Sequence, residues 1–209
     1  MSERTRGLYR LVTFPHAYRM IQRILSGEGS RKRVSDLLFA ALDGKTVCEI
    51  GCGPGSWASE MDSAMNYIGI DWNKEHIDHA NERYGNEKTR FFQGDVTSLE
   101  SIQVIGPRDR VVGMGILHHL NDDAAVRTLE QVTRILKPGG RYIGLENVYH
   151  DNQNPIARIL NALDSGKNVR GEDGYRQLFG KEFIEVHTFI RTDLMRVPYS
   201  HLLIEAIRR

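Results

Sequence analysis

Thr46-Val-Cys-Glu-Ile50 runs directly into Gly51-Cys-Gly-Pro-Gly55. A short apolar run followed at once by three glycines in five residues reads as a buried strand, then a tight loop that opens the next helix. Glycines in that setting let a ligand approach the backbone closely. Four further strand candidates follow: Tyr67-Ile-Gly-Ile70, Arg90-Phe-Phe-Gln93, Arg110-Val-Val-Gly-Met114 and Arg141-Tyr-Ile-Gly-Leu145. Helices are expected between them near 56–64, 74–84 and 122–136. The last is the clearest, with Asn121 as N-cap, Asp122 and Asp123 in its first turn, and Lys137-Pro-Gly-Gly140 as its stop. Strands alternating with helices imply an α/β fold with a mostly parallel sheet covered on both faces, and ligands at the carboxyl ends of its strands.

Outward from this core, Val34, Leu37, Leu38, Ala41 and Leu42 share one face of an expected helix ended by Asp43-Gly44, and a shorter helix is expected over His16 to Leu25. After the fifth strand a polar insertion, roughly His150 to Lys181, has a lid-like character. Asn154 and Pro155 start a short helix in it, with Ile156, Ile159, Leu160 and Leu163 on one face. Two more strand-like runs, Ile184 to Met195 and His201 to Ile207, are joined by Arg196-Val-Pro-Tyr-Ser200, so one must run antiparallel. The 209 residues thus divide into a helical cap (1–43), a core (44–146), a lid insertion (147–182) and a final strand pair (183–209) of a single domain.

With 40% hydrophobic and 26% charged residues the chain is neither disordered nor fibrous, and no apolar run approaches the ~18 residues of a membrane span. Pro15 interrupts the helix that an arginine-rich presequence would need. Cys48 and Cys52 are the only cysteines, so a disulfide framework is excluded and a reducing, cytoplasmic setting fits. With no further cysteine or histidine flanking them, they read as packing residues and no metal site is expected. The net charge is +1, but residues 1–33 hold eight Arg or Lys against two Glu, leaving the remainder net acidic. That basic stretch is either a solvated helix face or a rim attracting an anionic partner.

The loop chemistry narrows the ligand. A dinucleotide fingerprint wants glycine where Ser56 stands, which disfavours a nicotinamide cofactor. Asp71 ends the second strand, twenty positions beyond Gly51, where a carboxylate can accept both hydroxyls of a ribose at about 1.5 to 3 kcal/mol per charge-assisted bond. Asp95 ends the third strand in the same way. Its carboxylate can accept an adenine amino hydrogen while the Val96 amide reaches a ring nitrogen. Singly, each Asp is more often a helix cap or turn residue; the ordered set of Glu49, Gly51, Gly53, Gly55, Asp71 and Asp95 reverses that in favour of the ligand role.

Val47-Cys-Glu-Ile-Gly-Cys-Gly-Pro-Gly55, Gly69-Ile-Asp71, Gly94-Asp95, Gly113-Met-Gly-Ile-Leu-His-His-Leu120 and Leu136-Lys-Pro-Gly-Gly140 occur in order over about half the chain. In these segments the sequence resembles the class I S-adenosylmethionine-dependent methyltransferases. The resemblance implies a Rossmann-like seven-stranded sheet with a terminal antiparallel strand, S-adenosylmethionine as cofactor and S-adenosylhomocysteine as product. It implies that Glu49 and the Gly51-Cys52-Gly53 loop with Gly55 hold the methionine moiety, Asp71 the ribose and Asp95 with Val96 the adenine. The Gly113 and Met114 backbone would lie along the methionine amino group. Trp72 packs on the adenine or seals the core; Tyr18 closes over the cofactor or only packs.

The acceptor is expected after strand four, in the lid and in the final turn, among His118, His119, Asp164, Arg170, Tyr175, Tyr199 and His201. His119 is the first choice as base or orienting group, because imidazole titrates near neutrality. A structural hydrogen bond is its alternative. Tyr199 and His201 rank next as catalytic residues, and His118, Asp164, Arg170 and Tyr175 as substrate contacts. A small-molecule methyltransferase is the leading expectation. A cofactor-binding accessory protein without turnover and an RNA methyltransferase are the alternatives. The oligomeric state stays open.

Overall fold

The computed structural model describes residues 29–61, 63–98, 105–163 and 166–209. Tyr18, Asp164 and the helix expected over His16 to Leu25 lie outside the described residues.

The strands are β1 (Thr46–Ile50), β2 (Asn66–Asp71), β3 (Thr89–Gln93), β4 (Arg108–Met114), β5 (Leu136–Tyr149), the two-residue β6 (Arg170–Gly171), β7 (Phe183–Arg191) and β8 (His201–Arg208). The helices are α1 (Ser30–Leu38), α2 (Lys74–Tyr84), α3 (Asp122–Ile135), α4 (Pro155–Leu163) and α5 (Glu172–Arg176). The sheet order is β3-β2-β1-β4-β5-β8-β7, with β6 beside β5. Pairings from β3 to β5 are parallel, and β8 runs antiparallel to both β5 and β7. The expected mostly parallel Rossmann-like sheet is therefore present, and its antiparallel strand is the last in the chain. Because β8 is reversed, its first residue, His201, sits opposite Asn147 at the carboxyl edge of the parallel strands.

Strand alternation divides the core between the two faces. On one, Cys48, Ile50, Val111 and Tyr142 pack with Ala125, Leu129 and Val132 of α3. On the other, Val47, Tyr67, Val112 and Leu203 pack with Val34 and Leu38 of α1 and Ile77 and Ala80 of α2. Each fully buried aliphatic chain contributes roughly 1.5 to 3 kcal/mol. α3 starts as its sequence dictates: the Asn121 side chain accepts the Ala124 N–H at 2.9 Å, with Asp122 and Asp123 in the first turn.

Three local expectations differ from the structure. α1 stops at Leu38, and Ala41 takes a left-handed turn (φ 56) that brings Leu42 into the core from a loop. The described residues between 56 and 64 form turns and a 3-10 stretch, Ala58–Met61, and no α-helix. The end of this segment is pinned to β1's entry by an Asp43–Ala64 bridge and the Met65 N–H on Lys45 O. On α4 the side chains buried are Ala157 and Asn161, whereas Ile156 and Ile159 are exposed. Among the described residues no helix is long and apolar enough to cross a membrane.

Candidate functional site

β2, β1 and β4 lie side by side and end at one edge, where the loop after β1 turns through three positive-φ glycines, Gly51, Gly53 and Gly55. The three do different work. A Cβ on Gly51 would stand 2.8 Å from Ile116 Cδ1, and one on Gly55 3.1 Å from both Ala80 and Tyr84, so these two permit close packing. At Gly53 nothing among the described residues lies within 4 Å of that position. The middle of the loop thus faces open space, and a ligand can lie against its backbone there.

The loop is tied down by the N–H groups of Gly51 and Cys52, both donating to Ile70 O, and by Gly53 N–H donating to Asp71 Oδ2 at 2.9 Å. Cys48 and Cys52 are buried free thiols, each pushed up chiefly by burial. The Cys52 sulfur packs close to Gly69, so any ligand contact from Cys52 is through its backbone.

Asp71 is buried and receives one backbone N–H on each oxygen, from Gly53 and from Asn73, both at 2.9 Å. A carboxylate has about four acceptor sites, so capacity remains for two hydroxyls. Beside it Trp72 keeps 60% of its surface exposed, an aromatic face held at the edge and not spent on the core. Gly94 N–H donates to Asp71 O, which brings Asp95 to the same edge. Asp95 Oδ1 accepts the N–H and hydroxyl of Thr97, a turn that fixes its carboxylate, and the Val96 side chain is buried.

Glu49, on the inner face of β1, is buried and accepts the Tyr67 hydroxyl at 2.5 Å. Burial pushes its carboxyl up to about 7, against the lowering effect of the Tyr67 hydrogen bond. A carboxyl so poised favours a cationic neighbour. Gly113 stands one residue before the end of β4, where a side chain would meet the Tyr142 hydroxyl at 2.6 Å, and Met114, which ends the strand, is half-buried.

The loop after β4 is organised from β5. Glu146, fully buried, accepts the N–H groups of Ile116, Leu117 and His118 and lies 2.7 Å from His118 Nδ1. Arg170 donates to Leu117 O, Leu120 O and Asn168 O and pairs with Asp122. The Tyr175 hydroxyl donates to Asn147 O at 2.8 Å, and Gly166 packs against the His118 ring. His118 Nδ1 and the Tyr175 hydroxyl are thus engaged by β5, and the Arg170 guanidinium fastens this loop to the segment after α4.

His119 is exposed, its ring centroid 4.3 Å from that of His118. Tyr199 and His201 stack at 5.3 Å, and the Asn147 amide donates to the Tyr199 oxygen at 3.3 Å. His201 is buried, its Nδ1 has no hydrogen-bond partner among the described residues, and burial, then the charge of His118, lowers it to about 4. It is therefore a neutral imidazole at pH 7.

Sequence reasoning missed five polar groups here. Glu146 and Asn147 sit inside a strand and gave no signal beyond an acid in an apolar run. The amides of Gln153 and Asn161 both donate to Val148 O, and their own oxygens are buried without a donor among the described residues. His76 was also missed. Its buried Nδ1 lies 3.6 Å from Asp71 Oδ1, and its position in the first turn of α2 was the available cue.

Residues 47–140 match the family described as a methyltransferase domain. The chain is 26% identical over 117 residues to phosphoethanolamine N-methyltransferase 1 of Zea mays, covering 54% of this chain and 23% of that protein. It is also 26% identical over 132 residues to a tRNA (carboxymethyluridine(34)-5-O)-methyltransferase of Mus musculus, covering 60% and 19%. The chain therefore spans less than a quarter of either relative. Magnesium protoporphyrin IX methyltransferase from Synechocystis, solved with bound S-adenosylhomocysteine, superposes with a TM-score of 0.68 at 19% identity, covering 96% of this chain and 97% of that one.

Proposed function

We propose that this chain, which belongs to the class I S-adenosylmethionine-dependent methyltransferase family, transfers a methyl group from S-adenosylmethionine to a small-molecule acceptor. The observation that carries the reading is the Asp71 carboxylate. It is buried, fixed by two backbone N–H groups and set between the open Gly53 backbone and the exposed Trp72 ring.

The residues fit the cofactor. Asp71 accepts the ribose hydroxyls, Gly53 allows the chain of the ligand against the loop, and Trp72 offers a stacking face for the adenine, with Asp95 and Val96 at its far side. Glu49 answers the ligand's ammonium group. Bound there, S-adenosylmethionine supplies a methyl group on a positively charged sulfur, reactive toward in-line displacement. The protein's remaining tasks are to orient the acceptor and exclude water. His201 is suited to orienting: its unpaired Nδ1 accepts an acceptor's O–H or N–H, and its low proton affinity makes it a weak base. His119 is the better candidate to take a proton, and Tyr199 lines the same edge. Segment 147–182 serves as the lid over this edge, fastened at its second half by Arg170.

An RNA acceptor is the second reading, favoured by the tRNA-modifying relative and the basic residues before Val34. Two measurements separate the readings. Calorimetry should show binding of S-adenosylhomocysteine and none of a nicotinamide dinucleotide. Incubation with methyl-labelled S-adenosylmethionine should then label the small-molecule fraction of a cell extract. Label confined to RNA selects the second reading, and cofactor binding with no labelled product at all selects an accessory protein without turnover.

A further inference from the structure

At the opposite edge of the sheet, where β4 and β5 begin, lies a cavity of about 170 Å³ lined by Lys45, Asp109, Arg110 and the run from Lys137 through Pro138, Gly139 and Gly140 to Arg141. Four of these eight are cations and one is an acid. The acid is already committed: Asp109 holds Lys137 Nζ at 2.8 Å and accepts the N–H and hydroxyl of Thr46, which together keep its carboxyl far below the usual range. Arg110 and Arg141 face each other in register on adjacent parallel strands, so their side chains leave the sheet on the same side. Arg110 spends one nitrogen on Ala40 O at 2.7 Å. Burial and then the charge of Arg141 lower its pKa, with Glu205 offsetting part of the effect. Gly139, at φ 72, has open space where a side chain would stand. Two like charges brought together and partly desolvated in a concavity are unfavourable alone and favourable around an anion.

We propose that this cavity is a binding site for a phosphate dianion, presented either as free phosphate or as a phosphate monoester, and separate from the methyl-transfer edge. Phosphate fits better than a carboxylate because its three or four acceptor oxygens can take both guanidinium groups and a lysine at once, and two negative charges match the excess of cations. The space holds a phosphate group with room for the first atoms of an ester.

The test follows the backbone amides of Gly139 and Gly140 by NMR during titration with inorganic phosphate at constant ionic strength, using chloride as the control. Ribose 5-phosphate and a dinucleotide phosphodiester form two parallel arms. Saturable shifts are expected with phosphate or the monoester in the millimolar range, and whichever binds more tightly identifies the source. The double variant Arg141→Gln, Lys45→Gln alters two exposed side chains that make no side-chain hydrogen bond or ion pair among the described residues, and should weaken binding by about tenfold or more. Shifts that do not saturate, that persist unchanged in the double variant, or that appear with the phosphodiester alone overturn the proposal. S-adenosylhomocysteine affinity, measured on the same samples, should stay within about twofold. Its absence would count against the cofactor reading and leave the phosphate result standing on its own.

Discussion

His118 Nδ1 lies 2.7 Å from Glu146 Oε2, with both side chains buried. The same carboxylate collects three consecutive backbone N–H groups, so a strand-five acid sets the conformation of the loop that follows strand four. Removing it leaves those donors unpaired in a desolvated site. Glu146→Ala should cost about 3 to 5 kcal/mol of stability, and Glu146→Gln somewhat less because one oxygen can still accept. Urea unfolding checks this; a loss under about 1 kcal/mol would show that the loop is held by other contacts.

Asp71 has two tasks on the proposed reading, and they can be separated. Its backbone hydrogen bonds hold the glycine loop, and its remaining lone pairs serve a ribose. Asp71→Asn keeps one acceptor oxygen and turns the other position into a donor, facing either Gly53 N–H or Asn73 N–H. Affinity for S-adenosylhomocysteine should fall by roughly ten- to a hundredfold, about 1.5 to 3 kcal/mol, in calorimetry. Thermal stability should fall as well, by about 1 to 3 kcal/mol, because one loop N–H then faces a donor in a buried site. Unchanged affinity would remove Asp71 from the ribose role.

Glu49 predicts a pH dependence with a definite sign. Its carboxyl titrates near 7 in the folded chain because of burial, against an ordinary value of 4.5. Stability should therefore decline as pH rises from about 4.5 to 7 and level off above, since the folded state holds the proton more tightly than the unfolded one. Binding of a cationic ligand needs the ionised form, so affinity should rise with pH up to about 7. Glu49→Gln should remove both slopes. It should raise stability at pH 8 by on the order of 1 to 3 kcal/mol while weakening S-adenosylmethionine. Thermal melts and calorimetry across pH 5.5 to ~8.5 carry the comparison. A variant that retains the affinity slope would move the cation's partner elsewhere.

Strand identity was legible because apolar runs bounded by Gly and Asp are local signals, and β1, α2 and α3 follow the sequence reading closely. The strand-end acids were legible for the same reason: each directly follows such a run. What was not legible depends on contacts distant in sequence. Nothing local distinguishes Ala41 as a left-handed turn or marks Ala58–Met61 as a 3-10 stretch ahead of the Asp43–Ala64 bridge. His118, Arg170 and Tyr175 are expected as acceptor contacts by position, and their bonds from His118 Nδ1 to Glu146, from Arg170 to loop carbonyls and from the Tyr175 hydroxyl to Asn147 O have no local signal. The roles of Glu146, Gln153 and Asn161 emerge only once β5, α4 and β8 are assembled.

The residues proposed for the cofactor end β1, β2 and β3, whereas His119 follows β4, and Tyr199 and His201 stand at the start of β8. Since β1 and β4 are neighbours and β8 lies beyond β5, the two sets meet at one edge without sharing side chains. His119→Ala and Tyr199→Phe should therefore leave S-adenosylhomocysteine affinity within about threefold, under ~1 kcal/mol. Turnover should drop by ~10² in His119→Ala if it takes the proton, and less if it only orients the acceptor. A proton-accepting His119 also requires an ascending limb in the pH–rate profile that disappears in the variant. His201 gives the contrast. Held neutral at any pH well above 4, it contributes no limb near neutrality, so His201→Asn should reduce turnover while keeping the profile's shape. If all three variants turn over like the parent, the acceptor is held elsewhere, and the unpaired oxygens of Gln153 and Asn161 become the next groups to change.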